Sequence, residues 1–198
     1  KKVIRNSKES GFDLYYNMMC LGFDDDARKE LLKAENYYDI KNIYKKMWDE
    51  MPSKCTYLQT EQLMDTKGVL EGDMFPKMDR ACMHVSLENR APFIDGRIYH
   101  LAINLSDNLK INGNNKKYLL KEAFKDILPE GTLKFKKSGF GVPVDYWLKN
   151  ELKDEMRQML SKEVIDKQGL FDFDYVNQIF EDHINGKENN KFKLWNLY

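Results

Sequence analysis

The chain has 198 residues, 42% hydrophobic and 32% charged, with 32 Lys and Arg balanced by 32 Asp and Glu. That is the length and apolar content of one globular domain, and a formal net charge of zero speaks against nucleic-acid or membrane-surface binding, both of which draw on clustered positive charge. No run approaches the roughly 20 apolar residues that span a bilayer, and the opening Lys1-Lys2-Val3-Ile4-Arg5 does not read as a secretory signal, so a soluble, cytoplasmic protein is expected.

Helical periodicity dominates and strict alternation is nearly absent, which predicts an all-α, bundle-like fold. Asp24, Asp25 and Asp26 precede Ala27–Ala34, where they can cap a helix and meet its positive end. A calcium loop would need ligands at alternating positions, a central Gly and a terminal Glu, and Asp24 to Glu35 lacks that arrangement. The next segment, about Asp39 to Met51, places Ile40, Ile43, Tyr44, Met47, Trp48 and Met51 on one face, read as core, and Pro52 stops it. Helices are further expected at about Tyr57–Met64, Asp73–Val85, Gly96–Leu105 and Lys117–Ile127, the last ended by Pro129. Leu148, Leu152, Met156 and Met159 then mark one long helix, and Val176, Ile179, Phe180 and Ile184 another. No repeat or linker divides the chain, so residues 1–198 read as a single helical unit. The apolar run at Phe192, Leu194, Trp195, Leu197 and Tyr198 is unusual for a solvated terminus and suggests a piece of something longer.

Cys20, Cys55 and Cys82 form neither pairs nor a Cys-x-x-Cys, and His84, His100 and His183 show no ligand spacing. No metal site is expected, and each of these histidines reads as structural or surface. Two stretches stand apart from ordinary helix-and-turn composition. Between Met74 and Asp95, Lys77, Asp79, Arg80, Glu88, Arg90 and Asp95 interleave with apolar residues. This reads either as an ion-pair network tying two helices to the turn at Pro92, or as a wall whose cations bind phosphate or carboxylate. In Leu133–Pro143, Gly139 and Gly141 allow close backbone approach among three lysines. That is a basic surface loop or an anion cradle, although it has neither phosphate-loop glycine pattern.

Asp79-Arg80-Ala81, Ser86-Leu87-Glu88-Asn89-Arg90-Ala91-Pro92-Phe93-Ile94-Asp95, Lys117-Tyr118-Leu119-Leu120-Lys121-Glu122-Ala123 and Lys137-Ser138-Gly139-Phe140-Gly141-Val142-Pro143 together resemble the C-terminal half of the glutamine-hydrolysing asparagine synthetase family. The resemblance is clear over about 65–198 and looser before. It implies the helical part of a synthetase domain of the ATP pyrophosphatase type. In such a ligase, aspartate is activated as an adenylate and attacked by ammonia from glutamine, giving asparagine, AMP and pyrophosphate. By the resemblance, Lys137 reaches the phosphates and the intermediate. Lys77 could contact phosphate, and Glu88 with Arg90 would support the site wall. Asp79 and Arg80 are weaker candidates beside them, while Gly139 and Gly141 would shape and close the loop. The implied cofactors are ATP and Mg²⁺, held mainly by an upstream part, and the parent enzyme could pair as a homodimer.

The family's Ser-Gly-Gly-x-Asp-Ser loop is missing, since the chain has no Gly-Gly, and so is the N-terminal nucleophilic cysteine of the glutaminase domain. The chain alone is therefore expected to be inactive or nearly so. Two alternatives stay open: a related ligase of the β-lactam synthetase or surface-glycan and peptide amidotransferase kind, and a non-catalytic helical interaction module.

Overall fold

The computed structural model describes residues 9–129, 131–135 and 141–198. The fold is all-α, with one short antiparallel hairpin among the described residues, Ile111–Asn112 against Asn115–Lys116. Where the sequence suggests one helical unit, the chain divides into two compact ones, Lys1–Lys45 with Ser138–Tyr198, and the inserted Lys46–Lys137. No linker-like composition marks either junction, which is why the division is silent in the sequence. Among the described residues no helix is long and apolar enough to cross a membrane.

The first unit holds α1 (Gly11–Met19), α2 (Asp25–Leu31) and the start of α3 (Ile40–Asp49). It also holds α9 (Val144–Lys149), α10 (Lys153–Met159), α11 (Lys162–Gln168), α12 (Phe173–Ile184) and α13 (Lys191–Leu197). Its core joins Leu31, Val144, Leu148, Met156, Leu160, Ile165, Val176, Ile179, Phe180 and Leu194. Asp24 caps α2 as expected, accepting the Ala27 N–H at 3.0 Å. The segment after α2 is tied to the α11–α12 turn by backbone, through Lys33 N–H to Leu170 O at 3.0 Å and Asp172 N–H to Leu31 O at 2.8 Å.

The long helix expected across Leu148–Met159 is two helices. At Asn150 the backbone turns to φ −125°, ψ −92°, and its side-chain amide donates back to Tyr146 O at 2.8 Å, the local competition that makes Asn a poor helix-interior residue. Leu148 and Met156 are nevertheless both fully buried, so the apolar period survives the break. Helix α3 differs from expectation too, because none of its residues is buried. Ile40 and Ile43 are 38% and 40% exposed, while Tyr44 meets Tyr16 at 5.9 Å between ring centres.

The second unit runs α4 (Tyr57–Asp65), a π-helical turn sequence Thr66–Met74, α5 (Phe75–Met83), α6 (Gly96–Asn104), α7 (Asp107–Lys110), the hairpin as β1 and β2, and α8 (Tyr118–Phe124). Its core is thin: among the described residues only Thr60 and Met64 are buried. Polar ties do much of the joining. Gln59 Nε2 donates to Ile103 O at 3.1 Å, and Lys110 Nζ donates to Gln62 Oε1 and Ile103 O, both at 2.9 Å. Burial lowers the pKa of Lys110.

Truncation should separate the two kinds of apolar site. Leu148→Ala, in the closed core, is expected to cost about 2–5 kcal/mol, whereas Leu87→Ala, at a side chain 59% exposed, should stay within roughly 0.5 kcal/mol. Chemical denaturation of both variants checks the contrast.

Candidate functional site

The charged segment 74–95 starts on a continuous helical run. Thr56 opens it with a reciprocal cap, its Oγ1 accepting the Gln59 N–H at 3.2 Å and its own N–H donating to Gln59 Oε1 at 2.9 Å. Beyond Asp65 the backbone widens to π geometry up to Met74, and the Phe75 N–H donates to Leu70 O, five residues back. Pro76 explains the placement. In α register its ring would press on the Gly72 carbonyl, a clash that the π register relieves; Pro76 has no N–H to give in either register. Helix α5 then carries Lys77, Asp79 and Arg80.

The helix ends in a reversal. Leu87 N–H donates to Cys82 O and Ser86 N–H to Met83 O, both at 3.0 Å, the double closure of a Schellman-type stop. Ser86 occupies the left-handed position at φ +58°, where glycine is the unstrained choice. This turn brings Asn89, Ala91 and Ile94 beside α5, and together with Glu71, Met74, Phe75, Pro76, Met78 and Asp79 they line a cleft of about 660 Å³. Asp95 closes the segment by capping α6, accepting the Arg97 N–H at 2.9 Å. Hydrogen bonds from Arg97 hold the Asp95 carboxyl below the usual carboxylate range.

Of the expected site residues, Asp79 reaches the cleft. Lys77 Nζ lies 3.2 Å from Asp73 one helical turn back, both side chains being 58% exposed, so its charge is available to an incoming anion. Arg80 is exposed on the last turn of α5. Glu88 and Arg90 form an ion pair, at the surface with 65% and 85% exposure. The network expected to tie two helices together is thus replaced by short-range surface pairs, because the intervening Leu87, Phe93 and Ile94 are themselves exposed. Lys137 and Gly139 lie outside the described residues. Gly141 is described, and among the described residues a Cβ there would touch nothing within 4 Å. Sequence reading missed Asn89 and Glu71 as cleft residues and Ser86 as the strained turn; the last carries no compositional signal, since the expected residue is Gly.

An all-α chain with charged segments of this order and spacing belongs to a defined class of protein. The family described as Asparagine synthase matches residues 6–198, and the chain is a member of it. It is 35% identical over 179 residues, 88% of its own length and 27% of the relative's, to the Bacillus subtilis protein named asparagine synthetase [glutamine-hydrolyzing] 1. It is 32% identical over 130 residues, 65% of its length and 20% of the relative's, to a Mycobacterium bovis protein named putative asparagine synthetase [glutamine-hydrolyzing]. A more distant likeness, 23% over 140 residues, 67% of the chain and 21% of the relative, is to the Penicillium rubens protein named amidase chyE. The chain therefore spans about a quarter of the curated relatives it matches. No solved structure matches.

The strained turn is open to direct test. Ser86→Gly is expected to leave stability unchanged or raise it by up to ~1 kcal/mol, and Ser86→Val to lower it by about 1 kcal/mol, since β-branching is least tolerated in the left-handed region. Thermal unfolding of the two variants would show the opposite signs.

Proposed function

We propose that this chain is the helical portion of the synthetase part of an ATP-dependent amide ligase that adenylates the side-chain carboxylate of aspartate and passes it to ammonia derived from glutamine. The observation that carries the reading is the 35% identity over 88% of the chain to a glutamine-hydrolysing asparagine synthetase. The charged segment and the Lys137–Pro143 loop both lie within the family-matched residues 6–198. The chemical problem is charge: adenylation expels pyrophosphate, and positioned cations lower the barrier by meeting charge that builds on the leaving group. Lys137 is assigned that role, with Lys77 as a second phosphate contact. Glu88 and Arg90 form a local support for the wall, and Asp79, which lines the cleft, and Arg80 are the weaker substrate-binding candidates. Gly139 and Gly141 serve the loop's change of shape as it closes.

Magnesium would accompany ATP and offset phosphate charge. The donor set here does not make a cage for it: among the described residues no group of three or more His, Cys, Asp or Glu side chains could hold a metal ion, so no step is assigned to a metal on this chain. The likeness to a protein named an amidase favours, as a second reading, a related ligase with a different carboxylate acceptor. Its lower identity ranks it behind aspartate. In this reading ATP, aspartate and glutamine-derived ammonia are the partners, the compartment is the cytoplasm, nucleic acid is not among the ligands, and pairing as a homodimer is compatible with it.

Two outcomes test the proposal. In the ligase, Lys137→Ala should abolish ATP–pyrophosphate exchange with aspartate and leave glutamine hydrolysis intact; retained exchange would remove Lys137 from the mechanism. The 198-residue chain alone, given ATP, Mg²⁺, aspartate and ammonia, should release no AMP, and turnover would refute the assignment of a partial site.

A further inference from the structure

Residues 141–143 run directly into α9 (Val144–Lys149), whose Val144 and Leu148 are buried in the core of the first unit. Asp145 on the same helix is directed to a histidine outside the candidate site. His183, on α12, is fully buried. Its Nδ1 accepts the backbone N–H of Asn190 at 3.2 Å, and Asn190 is itself 3% exposed, stands at the N-terminus of α13 and donates through Nδ2 to Ile179 O on α12 at 3.1 Å. A ring nitrogen that accepts carries no proton, so the neutral ring has its proton on Nε2. Nε2 lies 3.7 Å from Asp145 Oδ1, both atoms being buried without a hydrogen-bond partner among the described residues.

The charges around the ring favour the neutral form. From α9, Lys149 Nζ donates to Asp145 Oδ2 at 3.2 Å and forms an ion pair with that carboxylate. Lys191 approaches from α13, and the Glu188 backbone faces the ring from the intervening turn. Burial first, then Lys149 and Lys191, push His183 below its ordinary pKa, with Asp145 and the Glu188 dipole opposing. Protonation would place a second hydrogen on Nδ1, facing the Asn190 N–H, and leave a charge in the core.

We propose that His183 is a proton-sensitive latch: neutral, it locks the start of α13 onto α12. The sign follows from linkage. The unfolded chain takes up the proton near pH 6.5 and the folded chain only at lower pH, so the latch's stability is complete above about 6.5 and falls as pH drops toward the folded value.

Nuclear magnetic resonance of the 198-residue chain between about pH 8 and pH 5 tests the latch. The His183 ring should show the Nε2–H tautomer and a midpoint below the usual histidine value. At that midpoint the amide of Asn190 should lose hydrogen-exchange protection by roughly tenfold or more. His183→Gln, whose Oε1 can accept the Asn190 N–H and cannot titrate, should abolish that pH dependence. An Nδ1–H tautomer, protection unchanged through the titration, or the same pH dependence in His183→Gln would overturn the latch.

Discussion

Burial of Leu148 is the constraint from which the first unit is organised. The side chain has no exposed surface and shares its core with Val176, Ile179, Phe180 and Leu194, so α9 is held against both α12 and α13. A six-residue helix, Val144–Lys149, has almost no stability of its own, since nucleation alone outweighs what so few hydrogen bonds return. It persists because tertiary packing supplies the free energy. Its first turn is the end of the glycine-containing loop, so whatever order the loop's exit has comes from this packing. Tyr198, Trp195 and Trp147 extend the same surface outward, with ring centres 5.7 Å and 6.3 Å apart, which gives the apolar end of the chain a local use.

The second unit depends on a different device, backbone geometry in place of side-chain burial. With Thr60 and Met64 its only buried residues among those described, it cannot fix the 74–95 segment by core packing. The segment is instead bracketed by a π-to-α change of register before Pro76 and by the left-handed Ser86 after α5. Both are unfavourable local conformations, and unfavourable conformations that persist cluster where a chain must aim something. What they aim here is the pair of edges that line the 660 Å³ cleft.

Helix positions were largely legible because they rest on periodicity: Tyr57, Gly96 and Tyr118 begin helices at or within a residue of where the apolar spacing and the caps place them. Breaks were not, because a break such as Asn150 is decided by one side chain bonding to one carbonyl, against an apolar pattern that continues through it. The short helices Asp107–Lys110 and Lys162–Gln168 contain too few turns to display a period. The hairpin was recoverable, since Gly113-Asn114, with Gly at the first central position, is a two-residue turn signal and Gly113 takes φ +59° between the paired Asn112 and Asn115. The burial of His183 was not recoverable, because a lone histidine at helical spacing looks the same in sequence whether it meets solvent or Asp145 and Asn190. For the site, the motifs singled out candidate charges, but exposure could not be read: amphipathic spacing says which residues share a face, and does not say whether that face is covered.

That last distinction decides what this chain can do chemically. Lys77 at 58% exposure and Glu88 and Arg90 at 65% and 85% are charges in water, where an ion pair contributes about 0–1 kcal/mol and a cation attracts phosphate weakly through high dielectric and salt. Under the proposed function, stabilising charge on a leaving group would require the same charges in a water-excluded site, where they are already oriented and act through a lower dielectric. In the same segment Leu87, Phe93, Ile94 and Met78 are each 47% exposed or more. Covering those side chains would remove water from the apolar groups and from the neighbouring charges together. The apolar residues of the segment are thus part of its electrostatics: the surface that drives burial also determines how strongly Lys77 and Arg90 can act once it is buried.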